Sequence, residues 1–306
     1  MNALAGYTGF VGSSLYEKGQ FDLVYNSKNI EKAYGTKPQL LVYAGLRAEK
    51  YLANHAPWKD MQQVIQAEEN IAKIDPHRLV LISTIDVFST PKNVDESSKI
   101  HTEHLHAYGY NRYQLELWVR QKYQDALIIR LPGLFGKNLK KNFIYDGMHE
   151  IPFMLKESVF YELAKKDPDI KKYYKPAEPG FYRACVPEEE EAFLKKKFRA
   201  LGFSARNFTD SRSMFQFYSL ARLWDDMCTA LKAGLTLWHP ATEPVSAAEL
   251  FRYMTGREFQ NELDGIPADY NYKTLYAHLF GGEGGYICKK EQVLEEIKRF
   301  AGQRWQ

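Results

Sequence analysis

Cysteine is scarce: there are 3 in 306 residues, Cys185, Cys228 and Cys288, far apart and with no CxxC pair. That excludes a disulfide framework and a cysteine-built zinc site, and it fits a reducing compartment. Long apolar runs are missing too. No stretch approaches the roughly 18 residues that a membrane span needs, and no basic segment followed by an apolar run opens the chain. The reading is a cytoplasmic protein, neither exported nor embedded. An excess of one charge is also lacking, since 41 Lys and Arg stand against 38 Asp and Glu for a net +3, too little to imply a duplex nucleic-acid partner. There is no internal repeat and no low-complexity linker. With 45% hydrophobic and 26% charged residues the composition is that of an ordinary globular chain. Aromatics are the surplus, with 21 Tyr and 18 Phe, most of them expected to fill cores.

Apolar β-type runs alternate with helical patterns through the first half: Met1 to Ala5, Phe21 to Tyr25, Leu40 to Ala44, Leu79 to Ile82 and Ala126 to Leu131. Between them, Met61 to Ile74 and Tyr110 to Tyr123 carry apolar residues at helical spacing. Strand and helix in alternation predict right-handed crossovers and a doubly wound parallel sheet, an α/β fold of Rossmann type. Past about residue 145 the texture changes. Lys156 to Lys175 is charged with helical spacing, Pro176, Pro179 and Gly180 break it, and Glu188 to Glu191 open another helix whose acidic start suits the macrodipole. The expected division is a nucleotide-binding domain over 1–145 and a smaller α/β substrate domain over 146–306, with a segment near 208–242 returning to the first.

The sharpest local signal is Gly6-Tyr7-Thr8-Gly9-Phe10-Val11-Gly12, directly after the first strand and before a helix beginning near Ser13. Glycines there let the backbone turn tightly and approach a pyrophosphate, while the helix start offers unpaired N–H groups to an anion. The spacing is GxxGxxG rather than GxGxxG. At the expected end of the second strand stands Tyr25-Asn26-Ser27-Lys28, without the acidic residue that holds an NAD ribose. A hydroxyl and an ammonium beside that position favour NADP slightly over NAD.

These residues resemble the extended short-chain dehydrogenase/reductase superfamily, in its branch of NAD(P)-dependent epimerases and dehydratases that work on nucleotide-linked sugars. The stations in order are Ala5 to Leu15, Val42-Tyr43-Ala44-Gly45-Leu46, Asn70, Leu81 through Phe88, Tyr108-Gly109-Tyr110-Asn111-Arg112, and Arg130 through Gly136. Weaker ones follow in Phe215 to Asp226 and Glu243 to Ser246. The resemblance implies that Gly6, Thr8, Gly9, Phe10, Val11, Gly12, Asn26, Ser27, Ala44, Gly45, Leu46, Ser83 and Pro132 line the cofactor, together with Tyr108 and Arg112. It makes Thr84 the residue that orients the carbonyl and Tyr108 the catalytic tyrosine. Where the family has a lysine four residues further on, this chain has Arg112. A tyrosine titrating near 10 works as acid and base only if a cation supports its phenolate, and spacing of four puts Arg112 on the face of Tyr108, with Glu116 as its competing partner one turn on. A guanidinium is planar, bulkier and permanently protonated.

Three readings follow. The first is an NAD(P)-dependent oxidoreductase or epimerase acting on a nucleotide-linked sugar, a small-molecule partner, with a homodimer formed through the helix starting near Tyr108 as the family's habit. The second is a non-catalytic NAD(P)-binding sensor or scaffold, motivated by Arg112. The third is a nucleotide-sugar dehydratase, in which Asp86, two places after Thr84, exchanges protons with sugar carbons. On the substrate side Asn142, Arg206 and Arg212 are candidates for sugar and diphosphate. His101, His104 and His106 invite a metal, yet their spacing and loop setting do not match a helix-borne zinc motif, so no metal is expected.

Overall fold

The computed structural model describes residues 1–177 and 180–302; Pro179 of the expected break lies outside them. It divides into two compact units, the first built from Met1–Asn138, Met214–Val245 and Asp269–Phe300, the second mainly from Leu139–Ser213 and Ser246–Ala268. Overlapping the stretch near 208–242, Met214–Val245 belongs to the first unit. Asp269–Phe300 also belongs to the first unit, a second return that the sequence reading did not contain.

The first unit is organised by a six-stranded sheet. Its strands are β1 (Asn2–Ala5), β2 (Leu23–Tyr25), β3 (Leu40–Tyr43), β4 (Leu79–Thr84) and β5 (Leu127–Leu131), plus Leu237–Trp238 at one edge. The order is Leu237–Trp238, β5, β4, β3, β1, β2, and every pairing is parallel. Such strands bury both faces, which is why they read as continuous aliphatic runs: all five residues of β5 are buried. The chain leaves β1 toward β2 and then returns to the other side of β1 for β3. A topological switch point therefore lies beside the glycine loop, where sheets of this kind bind ligands.

Four helices matter for the site: α1 (Phe10–Lys18), α2 (Lys50–His55), α3 (Pro57–Ile74) and α4 (Ala107–Lys122). α1 starts at Phe10, earlier than the Ser13 read from the sequence, because Gly9 serves as its extended N-cap. Pro57 starts α3, where a missing N–H costs nothing. Its Val64, Ala67, Ile71 and Ile74 pack with Leu115 and Val119 of α4 on Leu41, Leu79 and Leu81 of the sheet. Each fully buried aliphatic side chain there stabilises the fold by about 1.5–3 kcal/mol.

The second unit holds a three-stranded antiparallel sheet in which Phe181–Ala184 lies between Met154–Lys156 and Tyr174–Pro176. Helices Glu157–Lys166 and Glu191–Ala200 supply Phe160, Leu163, Leu194 and Phe198 to its core. The single helical stretch expected over Lys156 to Lys175 is interrupted, since Pro168 cannot continue the first helix and Tyr174–Pro176 joins the sheet. No helix among the described residues is long and apolar enough to cross a membrane.

Candidate active site

Parallel strands send all their following loops to one edge, so the motifs read from the sequence converge there: Gly6 after β1, Asn26 after β2, Ala44 to Leu46 after β3, Asp86 just past β4, and Pro132 after β5. The glycines in the first loop are sterically required. Gly6 sits at φ +90°, and a Cβ on it would come 2.4 Å from the Ala44 carbonyl oxygen, while one on Gly12 would come 2.0 Å from the Gly6 oxygen. Gly6 N–H bonds the Tyr25 carbonyl at 2.7 Å, pinning the loop against β2. No side chain caps α1 and no acidic residue stands in its first turn. Its N-terminal N–H groups and the exposed Thr8 can take a phosphate anion, with Phe10 and Val11 in the first turn. The donor set therefore fits a dinucleotide.

After β2 the backbone closes on itself. Asn26 N–H bonds Asn29 Oδ1 at 2.7 Å and Lys28 N–H bonds Asn26 Oδ1 at 2.9 Å, an Asx arrangement that leaves Ser27 and Lys28 exposed. The amide oxygen of Asn26 is thus occupied by its own turn.

Thr84 ends β4 and Tyr108 lies in the first turn of α4. His106 caps that helix by accepting the Gly109 N–H on Nδ1 at 3.0 Å, so it has a structural task that the sequence did not reveal. Asn54 of α2 accepts the Tyr108 N–H at 2.9 Å. Gly109 is needed for the close approach, since a Cβ there would lie 2.1 Å from the Asp86 carbonyl oxygen. Tyr108 is 6% exposed. Burial raises its pKa above the ordinary 10; Arg112 acts in the opposite sense, Asp86 raises it further, and the Thr84 side chain favours the phenolate.

Arg112 is not paired with Glu116, as the helical spacing suggests. Its Nη1 and Nη2 grip Asp60 of α3 at 2.9 and 3.0 Å, and Nη2 also donates to the Arg47 carbonyl at 2.7 Å. The pair is buried, with side chains 4% and 7% exposed. The guanidinium carbon lies 4.6 Å over the Tyr108 ring face. Asn111 donates to the same Asp60 oxygen at 2.9 Å. Arg112 thus ties α4 to α3 and to the loop after β3, with its charge balanced by Asp60. Glu116 is taken by Arg130, with Nη2 to Oε2 at 2.6 Å. Ser83 donates to Glu116 at 2.5 Å, which occupies Ser83 in the sheet rather than at a ligand.

Asp86 holds partners that the sequence gave no sign of. Its Oδ1 accepts from Lys50 Nζ at 3.0 Å and from Tyr270 OH at 2.8 Å. Lys50 and Tyr270 come from segments 36 and 184 residues away from it, so no local spacing could expose the group.

In the second unit Asn142 caps the short helix α5 (Phe143–Met148), accepting the N–H groups of Ile144 and Tyr145. Arg206 sits 5.2 Å over the Phe251 ring and 3.8 Å from Glu150. Arg212 makes a two-pronged pair with Asp210 and a 3.2 Å pair with Glu262. Two carboxylates already offset that guanidinium, against its expected role at a diphosphate. Among the described residues no group of three or more His, Cys, Asp or Glu side chains could hold a metal.

No protein-family model matches the chain, and a search of curated proteins finds no match to its sequence. Solved structures do match. A dTDP-4-dehydrorhamnose reductase from Bacillus anthracis in complex with NADP has a TM-score of 0.61 at 15% identity, over 99% of this chain and 98% of that one. A UDP-galactose 4-epimerase gives 0.61 at 13% identity, over 98% and 97%. The Bordetella bronchiseptica enzyme WbmG, in complex with NAD and UDP, gives 0.58 at 14% identity, over 93% and 88%. At such identities the likeness is one of fold. With a parallel sheet and a glycine loop at its switch point, the chain has the doubly wound α/β fold of these solved nucleotide-sugar reductases and epimerases.

Proposed function

We propose that the protein is an NAD(P)-dependent oxidoreductase of a nucleotide-linked sugar in which Tyr108 gives a proton to a carbonyl oxygen. The observation that carries this reading is the buried Tyr108 at the start of α4, held beside the Thr84 end of β4 on the same sheet edge as the glycine loop. When bound, the nicotinamide supplies the hydride. Thr84 orients the carbonyl oxygen and then steadies the phenolate left on Tyr108. Burial and the Asp86 charge keep that phenol protonated through neutral pH, which suits donation better than abstraction. The site therefore favours reduction over the opening oxidation of an epimerase. The absence of an acid after β2 and the exposed Ser27 and Lys28 support NADP over NAD.

The dehydratase reading loses support, because Asp86 is held by Lys50 and Tyr270 rather than facing a sugar carbon unpaired. The non-catalytic reading keeps one observation, the commitment of Arg112 to Asp60. Titration of the purified protein with NADPH and NADH, followed by nicotinamide fluorescence and then by assay on nucleotide-linked keto-sugars, separates them. Saturable binding, tighter for NADPH, with reduction steady through neutrality and falling only on the alkaline side of the ordinary tyrosine range as Tyr108 ionises, is expected. Binding without turnover would select the sensor, and no binding by folded protein would remove both.

A further inference from the structure

The commitment of Arg112 to Asp60 leaves a question of charge at Tyr108, and α2 answers it. α2 is fixed to the start of α4 by Asn54, which accepts the Tyr108 N–H at 2.9 Å. Its first residue, Lys50, reaches Asp86 Oδ1 at 3.0 Å and Tyr270 OH at 3.4 Å. The Asp86 backbone oxygen would meet a Cβ on Gly109 at 2.1 Å, and the Asp86 carboxylate, bonded to Tyr270, interacts electrostatically with Tyr108. We propose that Lys50 is a positioning residue for Tyr108: its ammonium pins Asp86 against Tyr270 and offsets part of the carboxylate charge that opposes a phenolate, beside an Arg112 whose own charge is shared with Asp60.

The charged and titratable groups around Tyr108 can be named element by element. Asp86 follows β4 and Asp60 stands on α3, both opposing the phenolate; Arg112 on α4 favours it. Tyr270 donates to Asp86 and interacts with Tyr108. His106, at the cap of α4, feels both Lys50 and Asp86 and is held below its ordinary value, chiefly by burial. Lys50 is the exposed member, its side chain 42% open against 17% for Asp86, so it also connects this volume to solvent protons.

This inference deepens the oxidoreductase reading, and its test separates the two. A fluorinated tyrosine placed at position 108 and followed by ¹⁹F NMR reports the phenol titration without any turnover, with thermal melting as the check on folding. Lys50→Met is expected to raise the midpoint by about one pH unit through the uncompensated Asp86 charge, whereas Lys50→Arg keeps it near the original value. Asp86→Asn is expected to lower it, and Lys50→Met added to Asp86→Asn to shift it by much less than in the native background. An unchanged midpoint in folded Lys50→Met, or an equal shift with Asp86 replaced, would overturn the proposal. Midpoints that move as stated, with no nucleotide sugar reduced, would retire the enzymatic reading and leave the Lys50 role standing. Turnover with unmoved midpoints would do the reverse.

Discussion

Tyr108 has a single hydroxyl set among opposing influences, and the order of those influences fixes its behaviour: burial outweighs Arg112, and Asp86 adds to burial. Tyr108→Phe should lower reduction by about 10²–10⁴-fold with NADPH affinity retained, since only the proton is removed; stopped-flow turnover beside fluorescence titration checks this. Asp60→Ala should leave a buried guanidinium unpaired and cost about 3–5 kcal/mol in urea unfolding, a far larger effect than removing an exposed pair such as Lys37 with Asp75. Asp146, in α5, has its pKa raised to about 7 by burial. The folded protein thus holds a proton that the unfolded chain releases above about pH 4. The resulting stability is complete below that value and is lost as pH rises through about 7. Asp146→Asn should therefore raise the melting temperature at pH 8 and change it little at pH 4. Thr84, Tyr108 and Arg112 are singled out in the sequence by the resemblance to the family, with only the spacing of four between Tyr108 and Arg112 carrying a local reason. Asp60 is not, since a carboxylate in the first turn of a helix ordinarily faces water.

At the scale of elements, α1 and its preceding loop form one device: a backbone turn that only glycine permits, opening into an uncapped helix start. Gly12→Ala places a methyl 2.0 Å from the Gly6 oxygen, so the turn must open. The expected result is loss of NADPH binding in a protein that still melts cooperatively. The helix α4 is held by partners from three directions, His106 at its cap, Asn54 from α2 and Asp60 from α3. Aliphatic periodicity made β1 to β5 and the bodies of α3 and α4 readable. It did not reveal the cap of α4, because histidine is an uncommon N-cap. Nor did it reveal the edge strand Leu237–Trp238, since two residues carry no period.

For the molecule as a whole, two apolar stripes lie on adjacent helices: Trp58 and Ile65 on α3, 61% and 48% exposed, and Tyr110 and Leu117 on α4, 40% and 42% exposed. Each pair is spaced by seven residues, hence on one face. If the homodimer through α4 that the resemblance implies forms here, sedimentation should give a dimer and Leu117→Glu a monomer of unchanged secondary structure. Asp269–Phe300 returns to the first unit and delivers Tyr270 to Asp86, and with it the third member of the Lys50 cluster. The sequence by itself determined the parallel α/β sheet and the glycine loop at the end of β1, because each rests on local period or local spacing, while the roles of Thr84 and Tyr108 come from the resemblance. Only the tertiary structure decided which charges compensate which. Arg112 went to Asp60, Glu116 to Arg130 and Lys50 to Asp86, since ion pairs form between groups that packing brings within a few ångströms and the order of residues along the chain carries no record of that distance.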